Sequence, residues 1–228
     1  MTGRGALAAD LDVMLLIDGT VSMENLFAQM KLRAASFCSD IGFGLAEKGG
    51  ALGELKTKII VFRDMYRDAV PFEPSAWFRL PEEAEGFRRF AEGIRPMGNG
   101  SGPRSGLEAL SMAVSELSLM QDRARQIIVL LTDGPAHRLD DPRAGDGKFR
   151  PLGTSGTLES LHKALESLNE RYRRLVIMAP PEEPWTGIRS WDQVHYLPCR
   201  AGCGIGWDEY DRVIETIGGS VVPSLAGL

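Results

Sequence analysis

Short apolar runs alternate along the chain with longer stretches in which apolar residues recur every three or four positions. Four runs have strand length and polar flanks: Leu11-Asp12-Val13-Met14-Leu15-Leu16-Ile17, Lys58-Ile59-Ile60-Val61-Phe62, Ile127-Ile128-Val129-Leu130-Leu131 and Leu175-Val176-Ile177-Met178-Ala179. Such runs fit strands buried on both faces, as in a parallel sheet. Val194-His195-Tyr196-Leu197 reads as a last strand, and Ala76-Trp77-Phe78-Arg79-Leu80 as a short edge strand. Phe27, Met30, Ala34, Phe37, Ile41 and Leu45 form a stripe that predicts one long amphipathic helix, ended by Gly49-Gly50. Pro81 fits the first turn of a helix carrying Phe87, Phe90 and Ile94. A further helix carries Leu107, Leu110, Val114 and Leu117, and another, capped by Thr157, carries Leu158, Leu161, Leu165 and Leu168. Asp208 is the expected cap of a closing helix through Val213, Ile214 and Ile217, stopped at Gly218-Gly219. Strands alternating with helices in this order imply right-handed crossovers and a mostly parallel sheet of about six strands with helices on both faces. The expectation is one doubly wound α/β domain over residues 11–222, with tails at 1–10 and 223–228.

Composition narrows the class. The 228 residues are 43% hydrophobic and 25% charged, which suits one large globular domain better than two small ones. A net charge of −5 provides no basic field, so nucleic acid is not an expected partner. The first seven residues lack the apolar core of a signal peptide, and no apolar run is long enough to span a bilayer, so no membrane partner is expected. Three cysteines, Cys38, Cys199 and Cys203, make no disulfide framework. The expected location is cytoplasmic.

The candidate chemistry sits at the strand ends. The first strand closes in Asp18-Gly19-Thr20-Val21-Ser22 and a later one in Thr132-Asp133-Gly134. In an open α/β sheet, ligands bind beyond the carboxyl ends of the strands. Oxygen side chains gathered there suit a hard divalent cation, although Asp, Thr and Ser also serve turns through local hydrogen bonds. Arg63-Asp64 puts another acid at a strand end. A glycine-rich loop, Gly98-Asn99-Gly100-Ser101-Gly102-Pro103-Arg104-Ser105, opens a helix. After Asp133, residues 137–156 form a long polar segment with His137, Asp140, Asp141, Arg143, Asp146 and Lys148; loops of that length are uncommon unless functional or mobile.

The two matched strand ends resemble the von Willebrand factor type A (vWA) domain, over nearly the whole chain. The resemblance implies a metal-ion-dependent adhesion site in which Asp18, Thr20, Ser22 and Asp133 hold Mg²⁺ (or Mn²⁺ or Ca²⁺), with a partner's carboxylate filling an open position. Asn99-Gly100-Ser101-Gly102-Pro103-Arg104-Ser105-Gly106 is similar to the Asn-x-Asp-x-Pro-Glu-Gly-Gly loop of integrin β subunits. Ser101 then stands for an Asp, as a further oxygen ligand, and Arg104 for the metal-binding Glu. Asp64 and Asn99 match ligands of an auxiliary metal site beside Arg104. Arg63-Asp64 also resembles a Tyr/Phe-Arg-Asp element of kinase-associated intracellular vWA proteins, whose first loop reads Asp-x-Thr-Gly-Ser. The implied function is a non-catalytic module that binds an acidic group of a cytoplasmic protein. That partner is a kinase, phosphatase or AAA+ ATPase of a bacterial stress-resistance or defence-like system, met also by His137, Asp140, Asp141 and Arg143.

Arg104 departs from the pattern. Two unit charges about 4 Å apart at an effective dielectric near 20 interact by roughly 4 kcal/mol, and a divalent ion doubles that. Pointing inward, Arg104 opposes a metal or replaces it by pairing with Asp18, Asp64 or Asp133. Pointing outward, it leaves Ser101 or Ser105 to supply the missing oxygen. Rival readings follow from the same residues. The 98–105 loop with Arg104 as counter-charge suits a phosphate or nucleotide sensor or enzyme, though it lacks a P-loop Lys-Ser/Thr, a dinucleotide fingerprint and a nucleophile elbow. A degenerate, metal-free structural domain is the third. His195, Cys199 and Cys203 are spaced by four, but Pro198, Gly202 and Gly204 oppose the helix that zinc ligation would need. Of Trp185, Trp191 and Trp207, an exposed one near the proline-rich 180–184 stretch is a candidate partner anchor.

Overall fold

The computed structural model describes residues 8–98, 102–120, 124–146, 156–169 and 173–221. Its centre is β1 (Ala8–Asp18), flanked in parallel by β2 (Ala51–Phe62) and β5 (Arg125–Leu131). The parallel series continues through β6 (Arg173–Ala179) to β7 (Val194–Pro198). Beyond β2, the short β3 (Phe72–Pro74) and β4 (Phe78–Leu80) pair with it antiparallel, which completes a seven-stranded sheet of order β3-β2-β1-β5-β6-β7 with β4 on β2. The sequence leads to about six strands because β3 is only three residues long and carries no apolar run. β1 begins at Ala8, inside the stretch expected to be a tail.

Side chains alternate across the pleat, and each set meets its own helical layer. Val13, Leu15, Ile17, Val129 and Met178 face α1 (Glu24–Arg33), α2 (Phe37–Ala46), α3 (Ala84–Gly93) and α7 (Trp207–Val221). Met14, Leu16, Leu130 and Ile177 face α4 (Gly106–Ser118), α5 (Leu158–Ser167) and the single turn α6 (Trp185–Ile188). The doubly wound α/β architecture is thus present. No helix among the described residues is long and apolar enough to cross a membrane.

Four local expectations need correction. The stripe from Phe27 to Leu45 is buried throughout, but on two helices rather than one. The chain tightens at 34–36, where the Ser36 amide donates to the Arg33 carbonyl (3.0 Å) and the Ser36 hydroxyl to Asp40 (3.0 Å). Pro81 lies in the turn before α3, not in its first helical turn. Asp208 sits inside α7, and it is the Glu209 carboxylate that accepts the Gly206 amide at 2.6 Å. The Gly218-Gly219 pair does not stop α7; Gly218 lies where α7 crosses α2 at Gly44. Thr157 does cap α5, in a reciprocal box with Ser160.

Candidate functional site

Register brings the ends of three strands to one edge: Asp18 pairs with Phe62, and Ile17 with Leu131. The Gly19 amide adds one more ladder bond, to the Phe62 carbonyl at 2.7 Å. That approach needs glycine, since a Cβ there would lie 2.6 Å from Val61 Cγ1.

Asp18, fully buried, ends β1 with four donors on its carboxylate. Oδ1 accepts the Thr20 amide (3.0 Å) and hydroxyl (2.7 Å), while Oδ2 accepts the Thr132 hydroxyl (2.7 Å) and Arg104 Nε (3.1 Å). Asp133 accepts the Ser22 hydroxyl on Oδ1 (2.9 Å) and the Gly204 amide on Oδ2 (2.8 Å). Thr20 and Ser22 hydroxyls lie 3.1 Å apart, each with its proton already given to a carboxylate. Burial pushes the Asp18 carboxyl above its ordinary value, against the pull of Arg104, Thr132 and Thr20.

Arg104 points inward. Its guanidinium is 3% exposed; Nε holds Asp18, Nη2 stands 3.7 Å from Asp133 Oδ1, and Nη1 donates to the Gly102 carbonyl. The root of that side chain is anchored by backbone. The Arg104 amide donates to the Pro135 carbonyl (2.9 Å), and the His137 amide donates to the Arg104 carbonyl (2.8 Å). The next residue, Ser105, donates its amide to the Arg63 carbonyl and accepts the Met65 amide on its hydroxyl, both at 2.9 Å. Gly134 makes the room: a Cβ there would lie 2.7 Å from Arg104 Cζ. Of the three carboxylates weighed as partners for an inward Arg104, it takes Asp18 and Asp133.

The group Asp18, Thr20, Ser22 and Asp133 is therefore assembled at the edge, around a guanidinium. That arrangement does not fit a divalent cation, because the carboxylate oxygens already have their donors and a fixed positive charge stands between the acids. Arg104 is instead taken up by the two acids and by the Gly102 carbonyl of its own loop. Asn99 and Ser101 lie outside the described residues.

Asp64 belongs to a neighbouring cluster. Its Oδ1 faces His137 Nε2 and accepts the Tyr66 amide, both at 2.9 Å. His137 is 5% exposed, edge-on to Tyr66, with Nδ1 3.4 Å from Arg143 Nη2. The network assigns the ring proton to Nε2. Burial lowers the His137 pKa, and Asp64 opposes that shift. Arg143 lies 4.0 Å over the Tyr66 ring and pairs with Asp141 at 2.6 Å, which holds that carboxyl down at about 2. Asp140 pairs at the surface with Arg138 (2.8 Å). Of the four residues expected to meet a partner, Asp140 and Arg143 are surface groups, Asp141 is half-buried and His137 is turned inward.

Sequence reasoning missed Thr132, Gly134, Tyr66 and the Gly204 amide. A hydroxyl beside a strand-end acid was a readable sign for Thr132; nothing local marks Gly204, 71 residues from Asp133. The rival zinc residues do not converge: Cys199 is buried, its thiol pushed up to about 12 by burial, and Cys203 is exposed. No group of three or more His, Cys, Asp or Glu poised for a metal occurs among the described residues. The exposed tryptophan is Trp207, under Arg33, whereas Trp185 beside the proline-rich stretch is buried with its indole N–H on the Gly134 carbonyl (3.0 Å).

Around this closed centre the rim exposes apolar side chains beside charged ones such as Arg67. Buried Arg63 gathers it, donating to the Val70 (3.2 Å) and Arg95 (2.9 Å) carbonyls, while the Met97 amide donates to the Gly19 carbonyl (2.9 Å). Val21, Val70 and Met97 are left 49%, 47% and 43% exposed.

No protein-family model matches the sequence, and no curated protein matches it. Solved structures share the fold. The pilus adhesin SpaC of Lactobacillus rhamnosus GG matches 94% of this chain with a TM-score of 0.58 at 10% identity, and its open conformation does so with 0.56 at 11%. The chain spans under a third of that adhesin, 31% and 30% in the two forms. The SpRpn10 VWA domain aligns over 84% of this chain and 89% of its own length, with a TM-score of 0.49 at 12% identity. At such identities the likeness is one of fold, an α/β sheet between two helical layers.

Proposed function

We propose that this chain is a non-catalytic protein-interaction module that receives its partner on the rim at the carboxyl ends of β1, β2 and β5. The observation that carries this reading is the contrast between a saturated polar centre and the apolar side chains exposed around it. Asp18 and Asp133 have their donors within the chain, so what a visitor meets there includes the exposed Val21, Val70 and Met97. Exposed apolar groups around a desolvated centre are a character of protein contacts. The absence of catalysis in this reading rests on His137, the base nearest the edge, whose two ring nitrogens face Asp64 and Arg143 rather than a hydroxyl or thiol. Rim contact replaces the cation-bridged capture of an acidic group that the vWA resemblance implies. Adhesion by the pilus adhesin of like fold is an analogy only. A cytoplasmic kinase, phosphatase or AAA+ ATPase made alongside this chain is the first partner class to test.

A photoreactive amino acid at position 21 or 97, introduced in the organism that makes the protein, tests the rim. Leu119, exposed beyond α4 at the opposite edge of the sheet, is the control position. Discrete adducts from 21 and 97, absent from 119 and abolished by Val70→Asp, are expected. Adducts from 119 alone, or equal yields from all three, would remove the rim from consideration.

A further inference from the structure

We infer that Arg104 is the resident cation of this sheet edge, a covalently supplied positive charge that holds Asp18 and Asp133 together and makes the edge independent of divalent metal. The inference goes beyond the rim reading and stands whether or not a partner docks there.

Three observations converge on it. The guanidinium reaches both acids, with Nε 3.1 Å from Asp18 Oδ2 and Nη2 3.7 Å from Asp133 Oδ1, and it is almost wholly shielded from water. An arginine stays charged at any pH the fold survives, so the two buried carboxylates always have a counter-charge. Its backbone is tied on both sides to the strand-end loop of β5, through Pro135 and His137, which anchors the root of the side chain, and swinging outward would break the guanidinium's contacts with Asp18, Asp133 and the Gly102 carbonyl. The slot is also cut to the guanidinium: Gly134 follows Asp133 directly, and any side chain there would collide with Arg104 Cζ and Nη1, at 2.7 and 2.8 Å. A divalent ion would have to evict a charge that cannot diffuse away, and would then meet hydroxyls whose protons point at the carboxylates.

The surrounding donors match a single positive charge. Two carboxylates share one guanidinium, and the remaining negative charge is met by dipoles: the Thr20 and Gly204 amides and the Thr20, Thr132 and Ser22 hydroxyls. These groups do not dissociate, so the edge keeps its form in a chelator.

Thermal unfolding of the free chain is the test, in EDTA and then in millimolar Mg²⁺, Mn²⁺ or Ca²⁺. The wild-type midpoint is expected to stay within a degree throughout. Arg104→Ser should unfold several degrees lower in EDTA. It should then recover several degrees in Mg²⁺ or Mn²⁺, because removing the guanidinium leaves two acids and two hydroxyls facing a vacated slot. Asp18→Asn in that background should abolish the recovery. Should Arg104→Ser not fold, Arg104→Lys and the wild type decide. The lysine form is expected to unfold lower and stay indifferent to cations. A wild-type midpoint that rises several degrees with a cation and falls back in EDTA would overturn the inference. So would an Arg104→Ser chain as stable as wild type in EDTA. Both readouts come from the isolated chain, so neither can be confused with failure of partner capture at the rim.

Discussion

His137 shows how one buried side chain couples the edge to pH. Burial holds its pKa below the ordinary 6.5, so it stays neutral in the folded chain while the unfolded chain takes up a proton. Stability therefore falls as pH drops through 6.5, by at most about 1.4 kcal/mol per pH unit for one proton. His195, also lowered by burial, adds in the same direction, so the His137 share must be read as a difference. His137→Gln keeps a donor for Asp64 but cannot titrate. Urea midpoints of the two proteins between pH 7.5 and 5 should converge as the wild type loses its advantage; parallel curves would deny His137 this role. Legibility at this scale follows sequence distance. Asp18, Thr20 and Ser22 could be read from the sequence because their bonds span two residues. The pose of Arg104 could not, since it depends on carbonyls and space provided some thirty residues later by Pro135 and Gly134.

Two adjacent glycines separate packing from propensity at the scale of elements. A Cβ on Gly218 would lie 2.7 Å from the Gly44 carbonyl carbon, backbone against backbone, so Gly218→Ala must push α7 off α2. Such overpacking costs about 1–3 kcal/mol. One residue on, a Cβ at Gly219 meets nothing within 4 Å, and Gly219→Ala in the same helix should stabilise by roughly 0.5–1 kcal/mol. Opposite shifts of the urea midpoint are expected; shifts of the same sign would mean that the α2–α7 crossing is looser than it stands. Reading Gly218-Gly219 as a helix stop used local propensity alone, and the crossing with α2 overrode it. The same limit split the stripe from Phe27 to Leu45 into two helices: periodicity identifies a buried face but not a tightened turn within it. The strands of four or more apolar residues, by contrast, were plain, because burial on both faces leaves no polar position to blur them.

For the whole molecule, the consequence of the doubly wound plan is that β1 supplies both cores at once. Leu15 and Leu16 are neighbours in sequence yet lie in different layers, one under α1, α2, α3 and α7, the other under α4, α5 and α6. Replacing either by alanine removes a buried side chain from a close-packed layer, at about 2–5 kcal/mol. If the sheet couples the layers, each substitution lowers one shared transition. Versions retaining only Trp185, in the α4 layer, or only Trp207, at the start of α7, give a probe for each side. In urea, both probes should report one midpoint, and Leu15→Ala and Leu16→Ala should each move the two together. Midpoints that part, with each substitution felt only on its own side, would mean that the layers unfold separately. The strand-end cluster, with Asp18 on β1, Arg104 ahead of α4 and Gly204 ahead of α7, would then be the tie between two units instead of the edge of one.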